Sequence, residues 1–232
     1  MTRFVERVFV WAGGALFVAS LAIAAWWYAV GPGHLYRETM TGSPEAAVVA
    51  DVVLFSVFAL HHSVFARAGV KAWLSRTVPD RLLRSIYVWA ASLLLIGVCV
   101  MWQPIGGVIY RAPVPLAVAL ALVQLSGVGL IWSAVRAIDP LELAGIRPAR
   151  EGAALQTSGP YKVVRHPLYL GWILVVCGSP TMTGDRLFFA LISSAYLVIA
   201  IPREERALEA AFGPAYAAYR ARVRRRLVPG VY

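Results

Sequence analysis

Four stretches of this chain stay apolar for about as long as a helix needs to cross a bilayer, and that narrows the fold to a membrane architecture. A helix rises about 1.5 Å per residue, so roughly 20 residues span a hydrocarbon core about 30 Å thick. The stretches run Val8–Val30, Ala46–Phe65, Ser85–Trp102 and Val114–Val135, with two shorter ones at Pro167–Pro180 and Arg186–Ile201. Inside lipid every backbone polar group needs an internal partner, which leaves helices or closed barrels. No series of ten-residue alternating segments supports a barrel. The expected fold is therefore all-α: a polytopic transmembrane helix bundle of about six spans, the last two a short helical hairpin. No internal repeat or linker divides the chain, so 1–232 reads as one domain.

A net charge of +10 could point to nucleic acid, but its placement does not. With six spans, of the 22 lysines and arginines only Arg37, Arg111 and Arg186 fall on one side. The rest gather on the other, including Arg67, Arg84, Arg165 and the run Arg222–Arg226. The positive-inside rule then sets both termini in the cytoplasm of a bacterial inner membrane, with the basic tail against anionic lipid. The partners expected are membrane lipids, not nucleic acid. Cys99 and Cys177 both fall within spans and read as buried apolar fillers rather than a disulfide or metal pair.

Polar residues at the membrane edge are costly, so their positions carry information. His61, His62 and Ser63 end the second span, Arg84 and Tyr87 start the third, and Arg165 and His166 precede the fifth. Glu204 and Glu205 follow the sixth, and all of these lie on the cytoplasmic side. Pro167 suits the first position of a helix, and Pro180 with Thr181–Asp185 supplies a turn. Two short antiparallel arms must bring Arg165-His166 beside Glu204-Glu205. Such a corner could hold a zwitterionic cofactor, with Arg165 on its carboxylate, the glutamates on amino or hydroxyl groups, and Tyr161 and Tyr169 against its rings or a sulfonium. It could equally be a salt bridge among protein side chains. Farther on, Gly213 and Pro214 are suited to end one helix and begin another, and Leu208, Phe212, Tyr216, Tyr219 and Val223 recur at helical spacing as an amphipathic C-terminal face. Adjacent His61 and His62 point about 100° apart on a helix and make a poor chelating pair, so no metal is expected.

The strings GPYKVVRHPLYLG (Gly159–Gly171), EER (Glu204–Arg206) and FGPAYAAYRARV (Phe212–Val223) resemble the isoprenylcysteine carboxyl methyltransferase and phospholipid N-methyltransferase superfamily of membrane enzymes. HSVFAR (His62–Arg67), RSIYV (Arg84–Val88), WQPIGGV (Trp102–Val108) and SPTMT (Ser179–Thr183) are similar to its bacterial methanethiol S-methyltransferase branch. The chain departs from that branch at LELAGIR (Leu141–Arg147), with Glu142 where an aspartate is usual, and at Pro202. The resemblance implies methyl transfer from S-adenosylmethionine, held over about residues 127–223 by Gly127, Gly129, Gly159, Pro160, Tyr161, Arg165, His166, Pro167, Tyr169, Glu204 and Glu205. It implies a small thiol or lipophilic acceptor, with methanethiol favoured and His62, Arg67, Arg84 and Glu205 as catalytic candidates. Close helix packing explains Gly127-Val128-Gly129 equally well. A lipid amine, a prenylated-cysteine carboxylate, or NADPH-dependent reduction on the same hairpin are the competing readings. Leu168 stands where sterol reductases tend to carry asparagine, which favours methyl transfer.

Overall fold

The computed structural model describes residues 3–31, 43–65, 68–147 and 154–228. In chain order the elements are α1 (Arg3–Val30), α2 (Pro44–Phe65), α3 (Ala68–Leu74), α4 (Asp80–Met101), β1 (Val108–Arg111), α5 (Val114–Ala137) and α6 (Pro140–Leu143). A 3-10 turn (Gly159–Lys162), α7 (Pro167–Cys177), β2 (Thr181–Thr183), α8 (Gly184–Phe212) and α9 (Pro214–Arg222) follow. The fold is all-α and polytopic: α1, α2, α4, α5 and α8 are long and apolar enough to cross a membrane, and α7 is a shorter apolar helix. The chain divides into two compact units, Met1–Gly107 with Pro140–Glu151, and Val108–Asp139 with Gly152–Tyr232.

In the first unit α4 packs against both α1 and α2. Gly13 makes the contact with α1 close, since a β-carbon there would lie 2.7 Å from the Trp89 indole nitrogen. Trp89 uses the gap to stack on Phe9 with ring centroids 5.7 Å apart, and its N–H donates to the Phe9 carbonyl at 3.1 Å. Asp51, fully buried in α2, accepts the Gln103 backbone N–H at 2.8 Å just beyond the end of α4. Ser85 donates to the Gly145 carbonyl at 2.6 Å and ties the segment after α6 to α4.

In the second unit α5 packs on α7, and α7 on α8. The α5–α7 crossing rests on two bare backbones. A β-carbon on Gly127 would sit 2.6 Å from the Gly171 carbonyl oxygen, and one on Gly171 would sit 2.8 Å from that of Gly127. Gln124 donates to the Val175 carbonyl at 2.9 Å, supplying a partner near the C-terminal end of α7 that the helix itself lacks. The Trp172 indole donates to the Ser193 hydroxyl at 3.0 Å and fixes α7 to α8. The link between α7 and α8 carries the only strand pairing among the described residues, β1 antiparallel to β2 with an irregularity between Val108 and Tyr110. Thr183 then caps α8 by accepting the Arg186 N–H at 3.2 Å.

Two expectations need correction. The hairpin arms are unequal, with 11 residues in α7 and 29 in α8, because Pro202 does not stop α8. Proline removes one helical N–H and crowds the preceding turn. The helix continues through it to Phe212, where the packing against α9 begins. Cys177 is exposed at the end of α7 rather than buried, while Cys99 is buried, and both thiols are free.

The two glycines of the Gly-x-Gly pair should respond differently to substitution. Gly127→Val puts methyl groups against a backbone carbonyl that cannot yield, and thermal unfolding in detergent should show a loss of about 1–3 kcal/mol or more. A β-carbon on Gly129 meets nothing within 4 Å, so Gly129→Ala should unfold no lower than the unsubstituted protein. Equal destabilisation by both would rule out the helix crossing as the reason for Gly127.

Candidate active site

The start of α7 and the second half of α8 bring four polar side chains together across about 40 residues of sequence. Pro167 occupies the first turn of α7, where its missing N–H costs nothing, and this leaves Arg165 and His166 as the residues that lead into the helix. Arg165 and Glu205 form a buried ion pair, at 7% and 5% exposure. The Arg165 Nε and Nη2 donate to Glu205 Oε1 at 2.7 and 2.6 Å. The His166 ring lies between both carboxylates, with Nε2 3.4 Å from Glu205 Oε1 and Nδ1 3.5 Å from Glu204 Oε2.

The C-terminal segment completes this corner. Arg165 Nη1 donates to the carbonyls of Val223 and Arg224, both at 2.8 Å. The backbone N–H groups of Arg165 and His166 donate to Arg225 and Arg226 carbonyls at 2.9 and 3.0 Å. Arg226 adds its own Nε to Glu205 Oε2 at 3.1 Å. The segment is brought there by α9. Gly213, with φ +50°, makes the turn from α8, and Pro214 starts α9. Tyr216, Tyr219 and Val223 are buried together, with Leu155, Leu208 and Phe212 packed against them. The Tyr219 hydroxyl donates to the Tyr161 carbonyl at 2.8 Å and anchors the 3-10 turn.

These contacts decide what each residue can do. Nearly all of Arg165's donors are taken by the protein, so the carboxylate it grips is that of Glu205. The salt-bridge reading of this corner is what the geometry contains, and a carboxylate from outside would have to displace several buried bonds. Glu205 is equally engaged, by Arg165 and Arg226. Glu204 differs: its side chain is 43% exposed, and it faces His166. His166 also stacks on Tyr169 with ring centroids 5.5 Å apart. Burial, helped by the charge of Glu204, pushes the Tyr161 phenol up to about 12, so near neutral pH it keeps its proton. Burial likewise pushes Tyr216 up to about 12, leaving a neutral hydroxyl beside the ion pair. Gly159, with φ +59°, and Pro160 form the turn that presents Tyr161. Gly127 is occupied by the α5–α7 crossing, and Gly129 borders open space.

The acceptor-side candidates belong to the first unit. His62, in the last turn of α2, is exposed and lies with Nε2 2.9 Å from the Tyr87 hydroxyl of α4. Arg84 is not a free cation: its Nε donates to the Glu142 carbonyl, and Nη1 lies 3.7 Å from the Glu142 carboxylate. Arg67 lies outside the described residues. The sequence counted Arg226 only as a topology charge. Its contact with Glu205 had no signal beyond its place in a basic run, and the use of backbone carbonyls by Arg165 had none at all.

Removing one partner of a buried ion pair strands the other, at a cost of about 3–5 kcal/mol. Arg165→Ala should therefore lower the unfolding temperature strongly and expose the segment after Val223 to protease. Glu204→Gln, at a half-exposed site outside that pair, should leave the melting temperature nearly unchanged. Equal melting losses in both variants would mean that the pair does not hold this corner.

Residues 115–210, which include this corner, match the isoprenylcysteine carboxyl methyltransferase family. Similar proteins extend the match over most of the chain. A protein of Bradyrhizobium diazoefficiens named methanethiol S-methyltransferase 2 is 36% identical over 78% of this chain and 74% of its own length. A methanethiol S-methyltransferase of Crocosphaera subtropica is 37% identical over 84% of this chain and 83% of its own. Nurim of Rattus norvegicus is 32% identical over 67% of this chain and 65% of its own length. With relatives this similar over such lengths, and the Arg165–His166 corner within the matched region, the chain belongs to the isoprenylcysteine carboxyl methyltransferase family of membrane methyltransferases.

Proposed function

We propose that this protein transfers the methyl group of S-adenosylmethionine to a small thiol, with methanethiol as acceptor and dimethyl sulfide as product, at the cytoplasmic face of a bacterial inner membrane. The observation that carries this reading is the corner of Arg165, His166, Glu204 and Glu205, in a chain whose bacterial relatives carry the name methanethiol S-methyltransferase. The whole chain would act as one domain, with the cofactor part over about 127–223.

The chemistry of the side chains suits the cofactor. Glu204 is the more exposed carboxylate of the two, with His166 and Tyr169 beside it, and is fit to accept in addition from an amino group or ribose hydroxyls. Tyr161 and Tyr169 offer ring faces for adenine or for a sulfonium, which aromatic faces attract. His166 would orient Glu204, and the turn at Gly159 and Pro160 would present Tyr161. Arg165, Glu205 and Pro167 would act as positioning residues that fix where α7 starts. When bound, the cofactor supplies a methyl group already activated as a sulfonium. What the protein must add is alignment, exclusion of water, and an acceptor sulfur with a free lone pair. Small thiols ionise only above about pH 8, so a base on the acceptor side raises the rate. His62 fills that role in this reading. Arg67 would favour the thiolate by its charge, and Arg84, held by Glu142, would act through the segment it anchors.

A lipophilic acceptor is the second reading, favoured by an apolar groove of about 600 Å³ between α7 and α8, lined by Ile173, Cys177, Leu191, Ser194 and Val198 among others. Such a groove is large for methanethiol and of a size for an acyl or prenyl chain.

Headspace analysis of purified protein with S-adenosylmethionine and methanethiol should show dimethyl sulfide. Labelled methyl recovered in extracted lipid instead would select the second reading. S-adenosylhomocysteine should bind in calorimetry and NADPH should not. Glu204→Gln should weaken S-adenosylhomocysteine about tenfold, a loss of about 1.4 kcal/mol. Unchanged affinity would remove Glu204 from the cofactor site.

A further inference from the structure

Five rings from two helices of the first unit meet near the end of α2. Tyr87 of α4 lies face to face with His61, with centroids 5.3 Å apart and planes 12° apart. The same tyrosine holds its hydroxyl 2.9 Å from His62 Nε2. Phe65 packs against both His61 and Tyr87, at 4.6 and 5.9 Å, and Phe58 lies 5.4 Å from His62.

The two imidazoles are treated differently. Among the described residues, neither buried ring nitrogen of His61 has a hydrogen-bond partner, an arrangement that costs about 1–3 kcal/mol per lost bond. What the His61 ring does make is flat contact with Tyr87, which sets the plane of the phenol. His62 is exposed, and its Nε2 is the nitrogen that meets the Tyr87 hydroxyl. When Nε2–H donates to the Tyr87 oxygen, the proton sits on Nε2 and the lone pair on Nδ1. Nδ1 is then a base pointing away from its anchor, in the manner of a histidine whose second nitrogen is fixed by a neighbour. The aromatic rings around it suit a soft, polarisable sulfur.

We infer that Tyr87, steadied by His61, is a positioning residue that fixes His62 as the base for the thiol acceptor, an inference that rests on the methyl-transfer reading above. The S–H bond of the thiol breaks and its proton goes to His62 Nδ1. The thiolate lone pair forms the new carbon–sulfur bond as the donor's carbon–sulfonium bond breaks, its electron pair going to the donor sulfur. The imidazolium then returns its proton to water.

The test compares two acceptors on the full chain in detergent: methanethiol, which must lose a proton, and 4-nitrothiophenol, an electron-poor aromatic thiol already ionised at neutral pH. S-adenosylhomocysteine binding by calorimetry confirms that each variant is folded. His62→Ala should cut kcat/KM for methanethiol about 100-fold, within the range of a general base. Tyr87→Phe and His61→Ala should cut it about tenfold, within the range of an orienting neighbour. His61→Phe, which keeps the stack, should restore most of the loss. All four should methylate 4-nitrothiophenol at close to the unsubstituted rate. Nitrogen-15 NMR of the histidines, read without cofactor, should show His62 protonated on Nε2, and mixed tautomers in Tyr87→Phe. Equal losses on both thiols, or an unchanged tautomer in Tyr87→Phe, would overturn the assignment. If the unsubstituted protein binds S-adenosylhomocysteine but methylates neither thiol, the thiol reading fails and this assignment goes with it.

Discussion

The buried pair of Arg165 and Glu205 governs the geometry of the second unit. Two charges removed from water carry a desolvation cost of several kcal/mol each, and only close, well-saturated bonding offsets it. Here the saturation comes from four places in the sequence: the lead into α7, the far half of α8, the carbonyls after α9, and Arg226. Each of those segments is located by its bond to the pair. Once they are in place, His166, Tyr161, Tyr169 and Glu204 stand around the same corner, and the Glu204 side chain is 43% exposed. Function in this reading belongs to those neighbours rather than to the pair.

Helix contacts elsewhere obey a different constraint. In hydrocarbon there is little hydrophobic gain in bringing two helices together, so closeness has to come from small residues and a few polar ties. Gly127 against Gly171, Gly13 against Trp89, and Trp172 on Ser193 are of this kind. Two polar side chains at membrane depth serve the same end. Asp51 accepts a backbone N–H beyond the end of α4, and the Gln124 side-chain amide donates to a backbone carbonyl near the end of α7.

Much of this was legible in the sequence, for physical reasons. Long apolar runs admit few alternatives to helices, so α1, α2, α4 and α5 lie within a few residues of where hydropathy puts them. Pro167, Gly213 and Pro214 act where backbone chemistry says they must. The meeting of Arg165-His166 with Glu204-Glu205 followed from one turn and two antiparallel arms. The length of α8 was not legible, because a proline inside a helix is decided by packing that local sequence does not contain. Nor was the occupation of Arg165. A basic side chain beside two glutamates invites either an outside ligand or an inside one, and the deciding acceptors were main-chain oxygens, which have no letter in the sequence. The pairing of Tyr87 with His62 lay hidden because it joins two helices at separate heights in the chain.

That last kind of acceptor has a further consequence. Arg165 reads residues 223–225 through their carbonyl oxygens, so the identity of Arg224 and Arg225 is of little concern to it, whereas their number and path are fixed. Drift in the letters of this segment is cheap. A single inserted or deleted residue shifts every oxygen off its donor at once. Natural variation there should accumulate as substitutions at constant spacing, with length rather than composition under selection.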